Sequence, residues 1–138
     1  MQHILMFKLG GRETFAIDAL KVQEIIKMGE LNNFPGSSPL IAGCMNFRGS
    51  TVAVVDLPKV LFGIEVQDAM VAILDGASYG LKVSSVTQIS KMDILFDDKA
   101  LFSRRFVDGV FFDSDNSIVQ MLSIERIIDH INKKSLAA

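Results

Sequence analysis

The sequence predicts an all-β fold, a barrel or a pair of barrels, with one helix packed against it at the end of the chain. Three observations point there. Short apolar segments recur along the chain, each broken by turn residues such as Gly, Asp, Asn and Ser. Neighbouring segments often stand at hairpin distance from one another. The clearest helical period, Ile124, Ile127, Ile128 and Ile131, comes last.

In chain order, Ile4–Leu9 reads as a strand, Gly10-Gly11-Arg12 as a turn, and Thr14–Ile17 as the pairing strand. Asp18–Ile26 stays open. Val22, Ile25 and Ile26 fit helical spacing and Asp18 suits an N-cap, but β-branched residues crowd the end of the segment. Asn32 to Pro39 is a loop. Cys44–Phe47 and Thr51–Val55 are strands on either side of Arg48-Gly49, and Asp56 caps a short helix with Pro58 in its first turn and Gly63 at its end. The second half repeats the style. Ala69–Leu74 and Tyr79–Val83 flank the turn Asp75-Gly76, and Val86–Ile89 is a further strand. Asp93–Asp108 mixes charged and apolar residues without a period and reads as an irregular excursion. Val110–Phe112 and Ile118–Leu122 make a hairpin around Asp113–Ser117. Ser123 caps the final helix, with Glu125 in its first turn and Lys133-Lys134 at its end, matching the helix dipole.

Composition narrows the function. The 138 residues suit one domain or two small subdomains sharing a core, and 49% hydrophobic content is ample for a packed interior. A net charge of −2 with scattered basic residues argues against nucleic-acid binding. The single Cys44 fits a reducing compartment and permits no intrachain disulfide. No apolar run approaches the ~20 residues of a transmembrane helix, and no basic region precedes Ile4–Phe7 as a signal peptide requires. The expectation is a cytoplasmic globular protein without membrane insertion.

No catalytic set assembles. His3 and His130 lack acidic or Cys neighbours at ligand spacing and read as surface or edge histidines. Cys44 reads as a small buried residue rather than a nucleophile. No Gly-rich segment runs into Lys-Ser/Thr as a phosphate loop does. Asp113-Ser-Asp115 opens like a calcium loop, but Ile118 and Ile124 stand where glycine and glutamate are needed. The six aspartates from Asp93 to Asp115 form either an acidic docking face or a solvated loop region. Neither metal nor cofactor is expected. Arg48 is the residue around which to seek a function. It stands among Met45, Phe47, Val52, Val54 and Val55, where a buried guanidinium needs a partner unless it reaches the surface.

Nearly the whole chain resembles the CheW-like coupling domain of bacterial chemotaxis. Phe7-Lys-Leu-Gly10 with Phe15-Ala-Ile-Asp18 is similar to that family's opening hairpin, and Leu20-Lys-Val-Gln-Glu-Ile25 to its next segment. Pro35, Pro39 and Gly43 fall in family positions. Asn46-Phe-Arg-Gly49 and Val54-Val-Asp-Leu57 resemble the family's Asn-Leu-Arg-Gly and Val-Val-Asp-Leu. Tyr79–Val83 and Ile118–Leu122 leading into Ser123-Ile-Glu-Arg-Ile127 follow its second half more loosely. The resemblance implies two interleaved five-stranded SH3-like barrels with a C-terminal helix, the chain 1–138 forming a single CheW-like domain. It implies a non-catalytic adaptor between the tip of a methyl-accepting chemoreceptor and a CheA-type histidine kinase. Receptor contacts carry over to Val22, Glu24, Arg48, Gly49, Thr51 and Ser85, and kinase contacts to Leu31, Phe34, Leu40 and Gly43. Read as residues alone, Val22, Leu31, Phe34 and Leu40 are core positions before they are contacts. Arg48 with Glu24 is either a buried salt bridge or a direct receptor contact. Ala53 stands where the family usually has proline, Ser84 where it has an acid, and Asp93–Asp108 is short and lacks the family's usual proline. A different class of function also fits the residues: a small β-barrel that binds a ligand or serves as a regulatory subunit outside a chemoreceptor array.

Overall fold

The computed structural model describes residues 2–33, 38–92, 105–113 and 115–137. Strands β1 (Gln2–Lys8) and β2 (Thr14–Asp18) lead through a 3-10 turn (Ala19–Lys21) into β3 (Val22–Lys27), and β4 (Ile41–Phe47) and β5 (Ser50–Asp56) into helix α1 (Leu57–Phe62). Then follow β6 (Met70–Leu74), β7 (Tyr79–Val83), β8 (Ser85–Met92), β9 (Val107–Phe112), β10 (Ile118–Leu122) and helix α2 (Ile124–Ala137). Two five-stranded sheets result, ordered β8-β1-β2-β10-β9 and β3-β6-β7-β5-β4.

The open segment Asp18–Ile26 contains both of its alternatives. The Asp18 carboxylate accepts from the Leu20 N–H at 3.0 Å and caps a single turn. The β-branched run after it then extends as β3. Strand β9 begins at Val107, so the end of the segment read as irregular is already a strand. The rest of that excursion, 93–104, and the loop positions 34–37 with Phe34 lie outside the described residues.

The two sheets are copies of one arrangement. Replacing β1, β2, β3, β4 and β5 by β6, β7, β8, β9 and β10, and the reverse, turns one strand order into the other. The parallel pairs correspond, β10 with β2 and β5 with β7, and each half ends in a helix. Even the bulges match. β3 pairs Val22 with Leu74 and Glu24 with Ile73, leaving Gln23 over. β8 pairs Val86 with Phe7 and Gln88 with Met6, leaving Thr87 over. The third strand of each half is exchanged: β3 lies on the sheet built otherwise from β4 to β7, and β8 on the other.

This layout explains why several strands are continuously apolar rather than alternating. Ile4–Phe7, Val52–Val55 and Val71–Leu74 are buried on both faces. One face fills a cluster within its own sheet: Ile4, Met6, Ala16, Phe111, Val119 and Met121 in the first, and Val52, Val54, Val71, Ile73 and partly buried Met45 in the second. The counterpart of Ala16 is Gly80, where an added Cβ comes within 2.6 Å of Val71 Cγ1. The other face joins the halves in one shared core, with Leu5, Phe7, Phe15 and Ile17 packed with Val55, Leu57, Leu74 and Leu81 and with Ile127 and Ile131 of α2.

Asp56 ties this core to α1. Its Oδ1 accepts from the Lys59 N–H at 3.3 Å, and Oδ2 lies 3.4 Å from Lys82 Nζ on the adjacent parallel strand. Both side chains are only 6% exposed. Each charge is tolerated because the other is there. We expect Asp56→Ala to destabilise the fold by roughly 3–5 kcal/mol in urea denaturation, since it strands the Lys82 ammonium. Asp56→Asn with Lys82→Met, which keeps a capping side chain and removes both charges, should recover most of that loss.

Candidate functional site

Strands β3 and β4 are the two edges of the second sheet, and two links draw them together. Past the end of β3, Asn32 and Cys44 exchange backbone hydrogen bonds, each 2.8 Å long. Gly43 makes this possible. A Cβ there would stand 2.7 Å from the Asn32 carbonyl oxygen and 2.8 Å from Leu31 Cβ, and its φ of +155° favours glycine. The second link is the ion pair between Glu24 Oε1 on β3 and the Arg48 guanidinium, 3.2 Å apart.

Arg48 and Gly49 form the two-residue turn between β4 and β5, with φ of +50° and +86°. Positive φ at both positions matches the twist of a tight hairpin, and Asn-Gly is the usual solution. The Asn46 side chain supports the turn by accepting the Gly49 N–H at 3.2 Å. An arginine in this conformation costs on the order of 1 kcal/mol. Its local contacts offset a similar amount. The Arg48 side chain is 68% exposed and that of Glu24 37%, and exposed pairs contribute roughly 0.2–1 kcal/mol. A guanidinium–ring contact to Phe47, 4.9 Å to the centroid, adds a comparable amount. The reading of Arg48 as a buried salt bridge is therefore overturned, because the turn carries the side chain out of the apolar strands around it.

Behind this turn, between the two sheets, lies a groove of about 210 Å³ lined by Leu5, Ala19, Val22, Gln23, Glu24, Ile25 and Ile89. Val22 and Glu24 thus meet at the groove, with Arg48 and Gly49 joined to it through Glu24. Thr51 is exposed opposite Asn46, just beyond the turn. Ser85 is exposed too, but it pairs with Lys8 at the far end of β8 and is not among the lining residues. The sequence reading missed Ile89, which is 64% exposed. Simple alternation would put Val86 and Ile89 on opposite faces. The extra residue at Thr87 shifts the phase and brings both to the face of Phe7 and Leu5.

Of the residues assigned to a kinase, Leu31, Leu40 and Gly43 lie away from this groove. Leu31 and Leu40 are half-buried and Gly43 is buried. Leu31 lines a cleft of about 380 Å³ with Met28, Ile41, Lys59 and Glu65, and the Asp56–Lys82 pair also borders it. Two of the departures from the family pattern, Ala53 and Ser84, each make a bond. The Ala53 N–H donates to the Ser78 carbonyl at 3.0 Å, which proline could not do. Ser84 Oγ accepts from the Gly10 N–H at 2.9 Å and fastens the β7–β8 connection to the β1–β2 turn. His3 is exposed, whereas His130 Nδ1 lies 2.9 Å from the Arg105 guanidinium beside the Phe106 ring. Cys44 is half-buried. Among the described residues no three His, Cys, Asp or Glu side chains could hold a metal ion together.

Residues 3–132 match the CheW-like domain. The chemotaxis protein CheW of Klebsiella aerogenes is 32% identical over 97 residues, which are 68% of this chain and 56% of that protein. The chain thus spans little more than half the length of that curated relative. The scaffolding protein TtCheW from Thermoanaerobacter tengcongensis superposes with a TM-score of 0.76 at 23% identity, covering 89% of this chain and 84% of that one. At that identity the likeness is one of fold: two five-stranded sheets and a C-terminal helix.

Two substitutions separate shape from chemistry at this site. Arg48→Asn relieves the turn, so its melting temperature should equal or exceed that of the unaltered protein. Gly43→Ala forces Leu31 and Asn32 away from β4 and should cost about 2 kcal/mol or more, read as a lowered denaturation midpoint.

Proposed function

The chain belongs to the CheW-like domain family, and from that premise we propose that it is a non-catalytic adaptor coupling chemoreceptors to a CheA-type histidine kinase in chemotaxis. The observation that carries this reading is the Arg48 turn. A non-glycine residue is held at positive φ, exposed, and paired with Glu24, which lines an apolar groove. Backbone strain kept at such a position points to binding.

The groove suits the apolar stripe of an amphipathic helix. Val22 supplies apolar wall, the Glu24–Arg48 pair a polar rim, Gly49 and Thr51 the approach to that rim, and Ser85 an outlying contact along β8. A methyl-accepting receptor tip is the occupant in this reading. The kinase's regulatory domain takes the other face, around Leu31 and Leu40, with Gly43 seating Leu31 against β4; Phe34 joins this set by sequence alone. The chain works in the cytoplasm in this reading. No helix among the described residues is long and apolar enough to cross a membrane.

Binding of the whole chain to two purified probes tests the reading: a receptor-tip fragment and a kinase regulatory domain. Both should bind. Arg48→Asn should weaken receptor-tip binding by roughly tenfold or more and leave kinase binding unchanged. A chain that binds neither probe is not this adaptor, and a small ligand-binding or regulatory barrel then becomes the better account.

A further inference from the structure

The buried Lys82–Asp56 pair is satisfied on one side only. Asp56 uses both carboxylate oxygens: Oδ1 accepts from the Lys59 N–H at 3.3 Å and Oδ2 from Lys82 Nζ at 3.4 Å. An ammonium carries three donors and no acceptor. Among the described residues the Lys82 ammonium makes this one contact, and it is longer than the usual range of roughly 2.7–3.2 Å. At 6% exposure the side chain is shut away from bulk water. Donors are left over in a buried setting, where an added acceptor is worth most and a charged one more than a neutral one.

The open space beside them is the cleft of about 380 Å³, which Lys82 lines together with an apolar wall of Met28, Leu31 and Ile41. Small-molecule sites have this make-up: a volume of roughly 300 Å³ or more, apolar walls and a few converging polar groups. Two further charges line the cleft, Lys59 and Glu65, and neither forms an ion pair among the described residues. They do not count equally. Lys59 is half-buried and Glu65 exposed, and water and salt screen an exposed charge far more than a buried one. With Asp56 already engaged, the cleft offers an anion the ammonium groups of Lys82 and Lys59 against one well-screened carboxylate.

We propose that this cleft is a binding site for a small aliphatic carboxylate. Its oxygens accept from the Lys82 and Lys59 ammonium groups, and its chain lies on Leu31, Ile41 and Met28. The carboxylate supplies the acceptors that Lys82 lacks, and the aliphatic chain keeps water from the contact, which strengthens it. A neutral molecule of the same length gains only the apolar part. The site goes beyond the adaptor reading and does not depend on it, although Leu31 belongs to the face assigned to the kinase.

Chemical-shift titrations of the whole isotope-labelled chain with butyrate, hexanoate and the uncharged hexanol test the site. Saturable shifts should centre on Leu31, Ile41, Lys59 and Lys82. Hexanoate should bind tighter than butyrate, and hexanol weaker than hexanoate by roughly tenfold or more. Lys59→Gln should weaken hexanoate binding by roughly threefold or more. Asp56→Asn/Lys82→Met, which keeps the α1 cap, should lose the preference for acid over alcohol while its melting temperature stays near that of the unaltered chain. Equal binding of hexanoate and hexanol to the unaltered chain overturns the proposal, because the cleft is then an apolar pocket only. Shifts that never saturate overturn it as well, as does an unchanged acid preference in the double variant, which puts the anion elsewhere. If Lys59→Gln weakens binding of a kinase regulatory domain and no acid saturates the cleft, the lysines serve a carboxylate of that partner and the small-molecule site is refuted. Failure of the adaptor reading leaves the titration unchanged, so the two stand or fall separately.

Discussion

Strand β3 leaves the β1–β2 hairpin to pair with β6, while β8 leaves the β6–β7 hairpin to pair with β1, so each sheet is completed by a strand from the other half. That exchange is the constraint on which the rest of the structure depends. It commits Leu5, Phe7, Leu74 and Leu81 to a common core, because the strands that carry them cannot separate without unpairing β3 and β8. It also creates the groove. Two exchanged strands pass beside each other between the sheets, and the residues after their bulges, Ile25 and Ile89, line the space between them. Core and candidate site thus have one cause, and a change that loosened the exchange would remove both.

Equal topology does not mean equal chemistry. The halves share apolar positions such as Ile4 with Val71 and Met6 with Ile73, where only volume and burial matter. They differ where the chain turns or meets solvent. The first half closes on a two-residue turn bearing an arginine, the second on a longer turn bearing aspartates. The interior is thereby free to repeat while the two tips diverge.

Most strands were legible in the sequence because turn residues punctuate them, and α1 and α2 because Asp56, Gly63 and Ser123 supply caps. Arg48 and Glu24 could be named as partners through the family resemblance, though their exposure could not. The sequence marks Arg48-Gly49 as a break between apolar strands, but that the arginine side chain leaves the interior shows only in the positive φ of the turn and its exposure. The internal repeat was legible only as a repeated style. Its counterparts share packing rather than residue type, as Ala16 with Gly80 and Met45 with Phe111 show, and single-sequence comparison has nothing to align. Ile89 stayed hidden for a related reason. A bulge changes the phase of a strand, and nothing in the residues around Thr87 signals one.

The buried Lys82–Asp56 pair shows how the fold restricts its own variation. Asp56 is needed at the end of β5 to cap α1, and the parallel pairing of β5 with β7 sets residue 82 directly beside it. An apolar residue at 82 would leave the carboxylate with the Lys59 N–H as its one hydrogen-bond donor in a buried setting. A lysine supplies the opposite charge but must itself be desolvated, so neither side chain can change alone at low cost. The pair borders the cleft that Leu31 lines, on the face assigned to the kinase. A docking partner there would meet that matched pair beside Lys59 and Glu65, which form no ion pair among the described residues. Apolar contact with Leu31 and Ile41 would there stand beside charge contacts to those two side chains, while the Asp56–Lys82 pair holds the floor of the cleft in place.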